Sequence, residues 1–384
     1  MSEIREPTPL TLIREHPDNW CELMREKRVK VREKGSLALL HYDTAPDWTD
    51  LVVLESRGII IDTETMSVVC RPFDKFFNVE EKWSADIDWK IAQVQQKVDG
   101  SIIKLYWYKD RWHFATNECI DAEDAVTKVP HMNYMDVIRS AKNYRNLVDA
   151  LNGLDKGNTY LFELVSDATR VVVDYGFTYL YHIGTRNNAT GQEYNVSIGI
   201  RKPDTYLLRS LSDCVEAVKE MNPTGQITEE GFVVVDRKWN RVKIKSPAYV
   251  AMSRAIDNGR MTFKRYLEVR YGDGINVDAM PLGTKTAYLY YEYKMTELLW
   301  KVDSYIRYAR ALYEEYDHDR KAVAGIIKRD DLASIGFSAL GNERTAEEIM
   351  DDQNNAWLMR RIADYQGPEK TRKETALCMQ NSRE

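Results

Sequence analysis

Residues 97–101 read Lys97-Val98-Asp99-Gly100-Ser101, and the apolar run Ile102–Tyr108 follows at once. Asp-Gly is turn chemistry, and a β-branched and aromatic run after it reads as a strand. A second strand-like run, Trp112–Thr116, lies beyond Lys109-Asp110-Arg111, so Lys97 is predicted to stand just ahead of a β-hairpin. A K-x-D-G segment alone is expected by chance in roughly one chain in ten of this length. It describes a surface turn equally well, so its meaning depends on what surrounds it.

Outward from the hairpin, further short runs read as strands. Leu37–Tyr42, Gly58–Asp62 and Val68–Cys70 lie upstream; Tyr160–Val165, Arg170–Val173, Tyr179–Gly184, Gly231–Asp236 and Arg241–Lys245 lie downstream. Helix is predicted over about Met135–Leu151 and from about Leu10 toward Lys34, where the chain becomes sharply basic. The basic run (Arg25, Lys27, Arg28, Lys30, Arg32, Lys34) reads as a solvated helix face or hairpin edge in preference to a phosphate contact. Many short strands with a few helices predict an α+β sheet domain over residues 1–247.

After Pro247 the period changes. No Gly or Pro occurs between Gly283 and Gly325, and Met295, Leu298, Leu299, Val302, Ile306, Ala309 and Leu312 recur at helical spacing. Thr345 with Glu348 forms a capping box ahead of Ile349 and Met350. An all-helical module over residues 248–366 and a flexible tail over 367–384 complete the predicted organisation.

Composition narrows the function classes. The 384 residues carry 54 Lys+Arg against 60 Asp+Glu, a formal charge of -6, which argues against holding nucleic acid by bulk charge but leaves room for a local basic groove. Hydrophobic residues at 43% are enough for a packed core. Five scattered cysteines without a CxxC argue against a disulfide framework and against a zinc knuckle. Without a signal core or a long apolar run, a cytoplasmic protein with no membrane partner is expected. P-loop, GxGxxG, HExxH and GxSxG motifs are absent, and the six histidines are scattered.

Lys243 and Lys245 flank Ile244, so on a strand both side chains point to one face. Two such lysines repel unless an anion lies between them, and a triphosphate is such an anion; a solvent-facing edge strand is the alternative. A lysine nucleophile must be neutral, yet at its ordinary pKa only about one in a few thousand is neutral at pH 7. Nearby cations and a dry pocket are expected to lower that pKa.

Several segments accompany Lys97 in a fixed order. Glu55-Ser56-Arg57-Gly58 and Arg71-Pro72-Phe73-Asp74-Lys75-Phe76-Phe77-Asn78 precede it; Leu161-Phe162-Glu163-Leu164-Val165, His182-Ile183-Gly184-Thr185-Arg186, Glu230-Gly231-Phe232-Val233-Val234 and Val242-Lys243-Ile244-Lys245-Ser246 follow. Over residues 35–250 this order resembles the covalent nucleotidyltransferase superfamily of ligases and mRNA capping enzymes. It is most similar to the phage RNA ligases typified by the tRNA-repairing enzyme of bacteriophage T4.

The resemblance implies an antiparallel-sheet nucleotidyltransferase domain, ATP-grasp-like, followed by an all-α domain. It implies an ATP-dependent RNA ligase that joins 5′-phosphate and 3′-hydroxyl RNA ends, nicked tRNA among them, in RNA repair during infection of a bacterial host, acting as a monomer. Lys97 would attack the α-phosphate of ATP and carry AMP. Tyr42, Arg57, Lys75, Glu163, Val233, Lys243 and Lys245 would form the ATP site, with Glu163 on the ribose hydroxyls. Val233 and a residue near Leu180 would sandwich the adenine. Glu230 and Asp273 would be the metal-associated acids, for Mg²⁺ with Mn²⁺ as the alternative, and Arg186 and Tyr249 would be RNA-binding or auxiliary. Of Phe76 and Phe77, at least one is expected to be core.

One departure stands out. The family places a basic residue where this chain has Asn117, an amide without charge, so either another cation substitutes, Lys104 or Lys109 being candidates, or the nucleotidyl step is slower. A DNA ligase or capping enzyme is the alternative enzyme, although both place a short-stranded OB domain where helices are predicted here. A catalytically inactive RNA-binding protein is the alternative of another class. The joint presence of Lys97, Glu163, Glu230, Lys243 and Lys245 speaks against it.

Overall fold

The computed structural model describes residues 5–44, 46–127, 129, 131–223, 226–256, 261–272, 277–280, 282–328, 330–351, 358 and 361–362. The chain divides into two units, Met1–Ala251 and Met252–Glu384.

The strands in chain order are β1 (Val29–Lys34), β2 (Leu37–Tyr42), β3 (Arg57–Asp62), β4 (Ser67–Cys70), β5 (Phe77–Asn78), β6 (Gln93–Gln96), β7 (Ser101–Tyr108), β8 (Arg111–Thr116), β9 (Asn158–Val165), β10 (Tyr179–Asn187), β11 (Glu193–Tyr194), β12 (Thr205–Tyr206), β13 (Gly231–Val235) and β14 (Arg241–Lys245). They form three sheets in the first unit, ordered β1-β2-β3-β4, β11-β10-β9-β7-β8 and β12-β6-β13-β14-β5. The pairings are antiparallel apart from β14 with β5, which run parallel. The helices of this unit are α1 (Thr8–Glu15), α2 (Trp20–Glu26), α3 (Leu51–Glu55), α4 (Tyr134–Ser140), α5 (Tyr144–Ala150) and α6 (Leu211–Glu220); α7 (Pro247–Ile256) starts at its end.

The hairpin after Lys97 forms as expected. Lys109 and Asp110 both take positive φ, 44° and 61°, as a tight two-residue turn between right-twisted strands requires. The N-terminal reading needs correction: helix covers only α1 and α2, Lys27 and Arg28 follow α2, and Lys30, Arg32 and Lys34 lie on β1, at the edge of its sheet. Four of them meet acids, Lys27 with Asp50, Lys30 with Asp43, Arg32 with Glu118 and Lys34 with Asp124. The predicted helix over 135–151 is broken into α4 and α5 at Ala141–Asn143, where Ala141 is extended and the buried Asn143 amide bonds Leu180 backbone instead. Arg170–Val173 is not a strand, because the amides of Val172 and Val173 bond the Asp99 carboxylate in place of a ladder partner.

The second unit contains α8 (Phe263–Arg270), α9 (Leu282–Glu315), α10 (Arg320–Ile327), α11 (Ala333–Ala339) and α12 (Ala346–Asp351). The 34-residue α9 carries the apolar stripe, and Val302, Ile306 and Ala309 are fully or almost fully buried. The Thr345 and Glu348 side chains exchange bonds with each other's backbone amides, completing the capping box. Among the described residues no strand follows Lys245, and no helix is long and apolar enough to cross a membrane.

Candidate active site

The site grows out of β14. Val242 and Ile244 are buried against Phe232, Val234 and the α6 residues Cys214 and Val218, while Lys243 and Lys245 alternate to the opposite face. Burial of each apolar side chain is worth about 1.5–3 kcal/mol, and a one-residue slip would push both lysines into that core, so the register is strongly held. On the neighbouring β13, Val233 is directly opposite Lys243 and shares its face. Gly231 opens β13 at φ 143°, where an added Cβ would lie 2.1 Å from the Ile244 carbonyl oxygen. Only glycine lets Glu230 approach β14 so closely.

Lys97 stands where the chain leaves β6 in the third sheet for β7 in the second. Its amide donates to Gly231 O at 2.8 Å, and its ammonium lies 2.6 Å from Glu230 Oε2. Lys245 takes the other oxygen, 2.9 Å from Glu230 Oε1. Glu230 is thus a buried carboxylate shared by two ammonium groups. Burial pulls the Lys97 amine down, but Glu230, Glu163 and Asp99 together outweigh it and hold the amine above its ordinary value. This corrects the expectation of a depressed Lys97: the carboxylates around it outweigh the cations.

The cations nearby behave differently. Arg57 lies 5.0 Å and Lys243 5.2 Å from the Phe76 ring centroid. Lys75 is boxed by Trp48, Phe77 and Tyr42 at 4.9, 5.0 and 5.8 Å. Among the described residues, none of these three forms an ion pair with a carboxylate. Burial, then the charges of Lys75, Arg57, Lys97 and Lys245, push Lys243 down to about 7. Lys75 is also lowered, chiefly by burial. Aromatic faces stabilise cations by about 0.5–2 kcal/mol without neutralising them, so the cluster keeps its field for an incoming anion. Phe77 is core and Phe76 is the cushion between two cations, a role that neither hydrophobicity nor spacing could have signalled.

Glu163 on β9 faces the same cleft, and burial, reinforced by Glu230 and Asp99, pushes its carboxyl up to about 8 despite Lys97. Tyr181 lies opposite Glu163 in register and shares its face, whereas Leu180 is buried in the core on the other side of the sheet. Next to Leu180, Tyr181 is therefore the aromatic side chain on the Glu163 face. Asp99 acts as a staple: Oδ2 accepts from the amides of Val172 and Val173 at 2.8 and 2.7 Å, and Oδ1 from the Tyr249 hydroxyl at 2.8 Å. Tyr249, 2% exposed, is thus an internal support beneath Lys245, which lies 5.0 Å from its ring.

Asn117 sits just past β8, with its Oδ1 buried and without a hydrogen-bond partner. Lys109 is at the exposed hairpin turn, away from this cluster. Lys104 is fully buried; its ammonium donates to the Gly58 carbonyl, and burial pushes it down to about 8. Arg186, 6% exposed, has its donors taken by Asp74, Pro72 O and Gly191 O, so it does not face an RNA surface. Asp273 lies outside the described residues. Among those residues no group of three His, Cys, Asp or Glu could hold a metal ion.

A family model described as RNA ligase, of T4 type, matches residues 55–249. The chain is 31% identical over 258 residues to a protein of Autographa californica nuclear polyhedrosis virus described as a bifunctional polynucleotide kinase/RNA ligase; the match covers 62% of this chain and 36% of that one. It is 25% identical over 307 residues to an RNA ligase of Rhodothermus phage RM378, covering 62% and 69%. The chain thus spans about a third of the length of the first relative. A solved archaeal ATP-dependent RNA ligase aligns with a TM-score of 0.45 at 14% identity, covering 77% of this chain and 82% of that one.

Proposed function

Because the chain belongs to the RNA ligase family, we propose that it seals RNA ends at the expense of ATP, through a covalent Lys97–AMP intermediate. The observation that carries this reading is the arrangement of Arg57, Lys75 and Lys243, three cations without carboxylate partners among the described residues, beside a lysine whose proton is held by Glu230. That arrangement suits a polyphosphate laid across the cations with its α-phosphorus near Lys97.

In the first step Lys97 passes its proton by way of Glu230 to solvent, and its lone pair attacks the α-phosphorus. The bond to the bridging oxygen of the β-phosphate breaks, and pyrophosphate leaves on Arg57, Lys75 and Lys243. In the second step an oxygen of an RNA 5′-phosphate attacks the same phosphorus; the P–N bond breaks and Lys97 recovers a proton. In the third, an RNA 3′-hydroxyl attacks the activated 5′-phosphate, its proton is lost, and AMP departs with the bonding pair. Glu163, with its carboxyl raised, suits hydrogen bonding to the ribose hydroxyls, and Val233 with Tyr181 suits flanking the base.

A divalent cation fits as a companion of the phosphates. Once Lys97 is neutral, the buried Glu230 is left with Lys245 alone, so Glu230 would hold the cation. Mg²⁺, or Mn²⁺ in its place, would supply charge neutralisation at the phosphates. All the residues invoked belong to the first unit, which supports action as a monomer. The helical unit is read as choosing the RNA, with nicked tRNA as the preferred substrate.

The test is incubation with α-labelled ATP and Mg²⁺: wild type should take up label with release of pyrophosphate, and Lys97→Ala should not. An unlabelled wild type, or a labelled Lys97→Ala, overturns the reading. Equal sealing of tRNA halves and linear RNA by the full chain would remove the tRNA preference alone.

A further inference from the structure

The segment Arg71–Asn78 crosses all three sheets of the first unit. It leaves β4 of the first sheet, where the Arg71 amide donates to Thr159 Oγ1 on β9 of the second at 2.8 Å. It ends as β5, pairing in the third sheet with Phe77 beside Val242 and Asn78 beside Lys243. Between these ends it is gripped by β10. The Arg186 guanidinium forks onto Asp74, with Nη1 to Oδ1 at 2.7 Å and Nη2 to Oδ2 at 2.9 Å, and Nη1 also donates to Pro72 O at 2.6 Å. Its Nε is anchored to Gly191 O at 2.9 Å.

Two further contacts close on Phe73 between these bonds. A Cβ at Gly184 would lie 2.3 Å from Phe73 Cζ, so the ring occupies the space that the glycine leaves. The Arg241 guanidinium, paired with Glu193, lies 4.0 Å from the Phe73 ring centroid. Behind them Arg71 faces Glu55 at 3.8 Å, and Arg5 meets the same carboxylate at 2.6 Å. The residue that follows Asp74 is Lys75, whose amide is tied to Leu54 O at 2.8 Å and whose ammonium sits in the aromatic box. A planar bidentate fork fixes both distance and orientation, which a lysine at position 186 could not reproduce.

We propose that Arg186 is a positioning residue for Lys75: its fork on Asp74 latches the Arg71–Asn78 strap to β10 and thereby sets where the Lys75 ammonium meets the nucleotide's phosphates. The inference rests on the ligase reading above. It makes Glu55, Arg71, Asp74 and Arg186, four residues of the segments that accompany Lys97, a support for the phosphate site rather than part of its surface.

The experiment is a double-mutant cycle on the full chain, reading single-turnover adenylation with α-labelled ATP and Mg²⁺ in wild type, Arg186→Lys, Lys75→Ala and the double variant. Arg186→Lys should raise the apparent KM for ATP by about tenfold with little change in the maximal rate, the signature of weakened nucleotide binding. In the Lys75→Ala background the same substitution should have almost no further effect, within about twofold. Multiplicative losses in the double variant, or a fall in maximal rate alone, would overturn the latch and leave the ligase reading standing. Asp74→Asn, which keeps a side chain of the same shape, should follow the same pattern and serves if Arg186→Lys folds poorly. A wild type that takes no label overturns both readings.

Discussion

The Lys97 ammonium donates to Glu230 Oε2 at 2.6 Å, so without nucleotide the nucleophile is stored as an ion pair. Its amine is raised by that carboxylate and by Glu163 and Asp99, against the pull of burial. Attack therefore requires a proton to leave first, and the adenylation rate at saturating ATP should climb with pH through the alkaline range. Glu230→Gln removes the nearest raising charge, so the limb should move to lower pH while the plateau rate falls, by about a hundredfold. Single-turnover labelling between pH 6 and 10 checks this, and an unmoved limb would dissociate Glu230 from the proton.

Lys243 titrates at about 7, because burial and four neighbouring cations disfavour its charged form. At pH 8 it is mostly neutral, and a bound triphosphate restores its charge. Binding of a non-hydrolysable ATP analogue should take up a proton, and affinity should weaken as pH rises above 7. Calorimetry in buffers of different ionisation enthalpy should find roughly 0.9 proton more uptake at pH 8 in wild type than in Lys243→Met. Equal uptake in the two proteins would place the charge change elsewhere.

Lys104 is wholly buried and depressed to about 8 by that burial, with the Gly58 carbonyl as its acceptor. Its folded pKa lies below its unfolded one, so its cost to stability is full below pH 8 and is relieved between pH 8 and the ordinary lysine range. Wild type should gain about 1.5 kcal/mol between pH 8 and 9.5 relative to Lys104→Met. Urea denaturation at the two pH values measures the difference, and parallel pH dependence would contradict the assignment.

Asp99 joins the Lys97 turn to Val172, Val173 and Tyr249 through three hydrogen bonds of 2.7–2.8 Å. An amide at this position offers one acceptor oxygen where two are used, so Asp99→Asn should destabilise by roughly 3 kcal/mol and Tyr249→Phe by roughly 1.5 kcal/mol. The double variant should lose less than the sum, since both remove one shared bond. Additive losses in urea denaturation would show that the two act independently.

The alternation of β14, the hairpin after Lys97 and the apolar stripe of α9 were all legible in the chain alone, because each follows from a local period or turn chemistry that neighbours along the chain impose. The order of segments around Lys97 likewise pointed to the family. Position 117 was legible as a departure, but its buried, unpartnered oxygen was not.

Tertiary structure decided the rest, because it concerns groups brought together across long separations in the chain. Arg170–Val173 carries strand-like residues, yet its amides go to Asp99, 73 and 74 positions away for Val172 and Val173. Arg186, implied by the resemblance to be RNA-binding or auxiliary, is buried on Asp74, 112 positions away. The protonation of Lys97 depended on which charges lie nearest: by composition the site looked cationic, but Glu230 lies against the nucleophile while Lys75 and Lys243 lean on aromatic rings. Coulomb energy falls with distance, so the charge on Lys97 is set by spatial neighbours that residue order does not reveal.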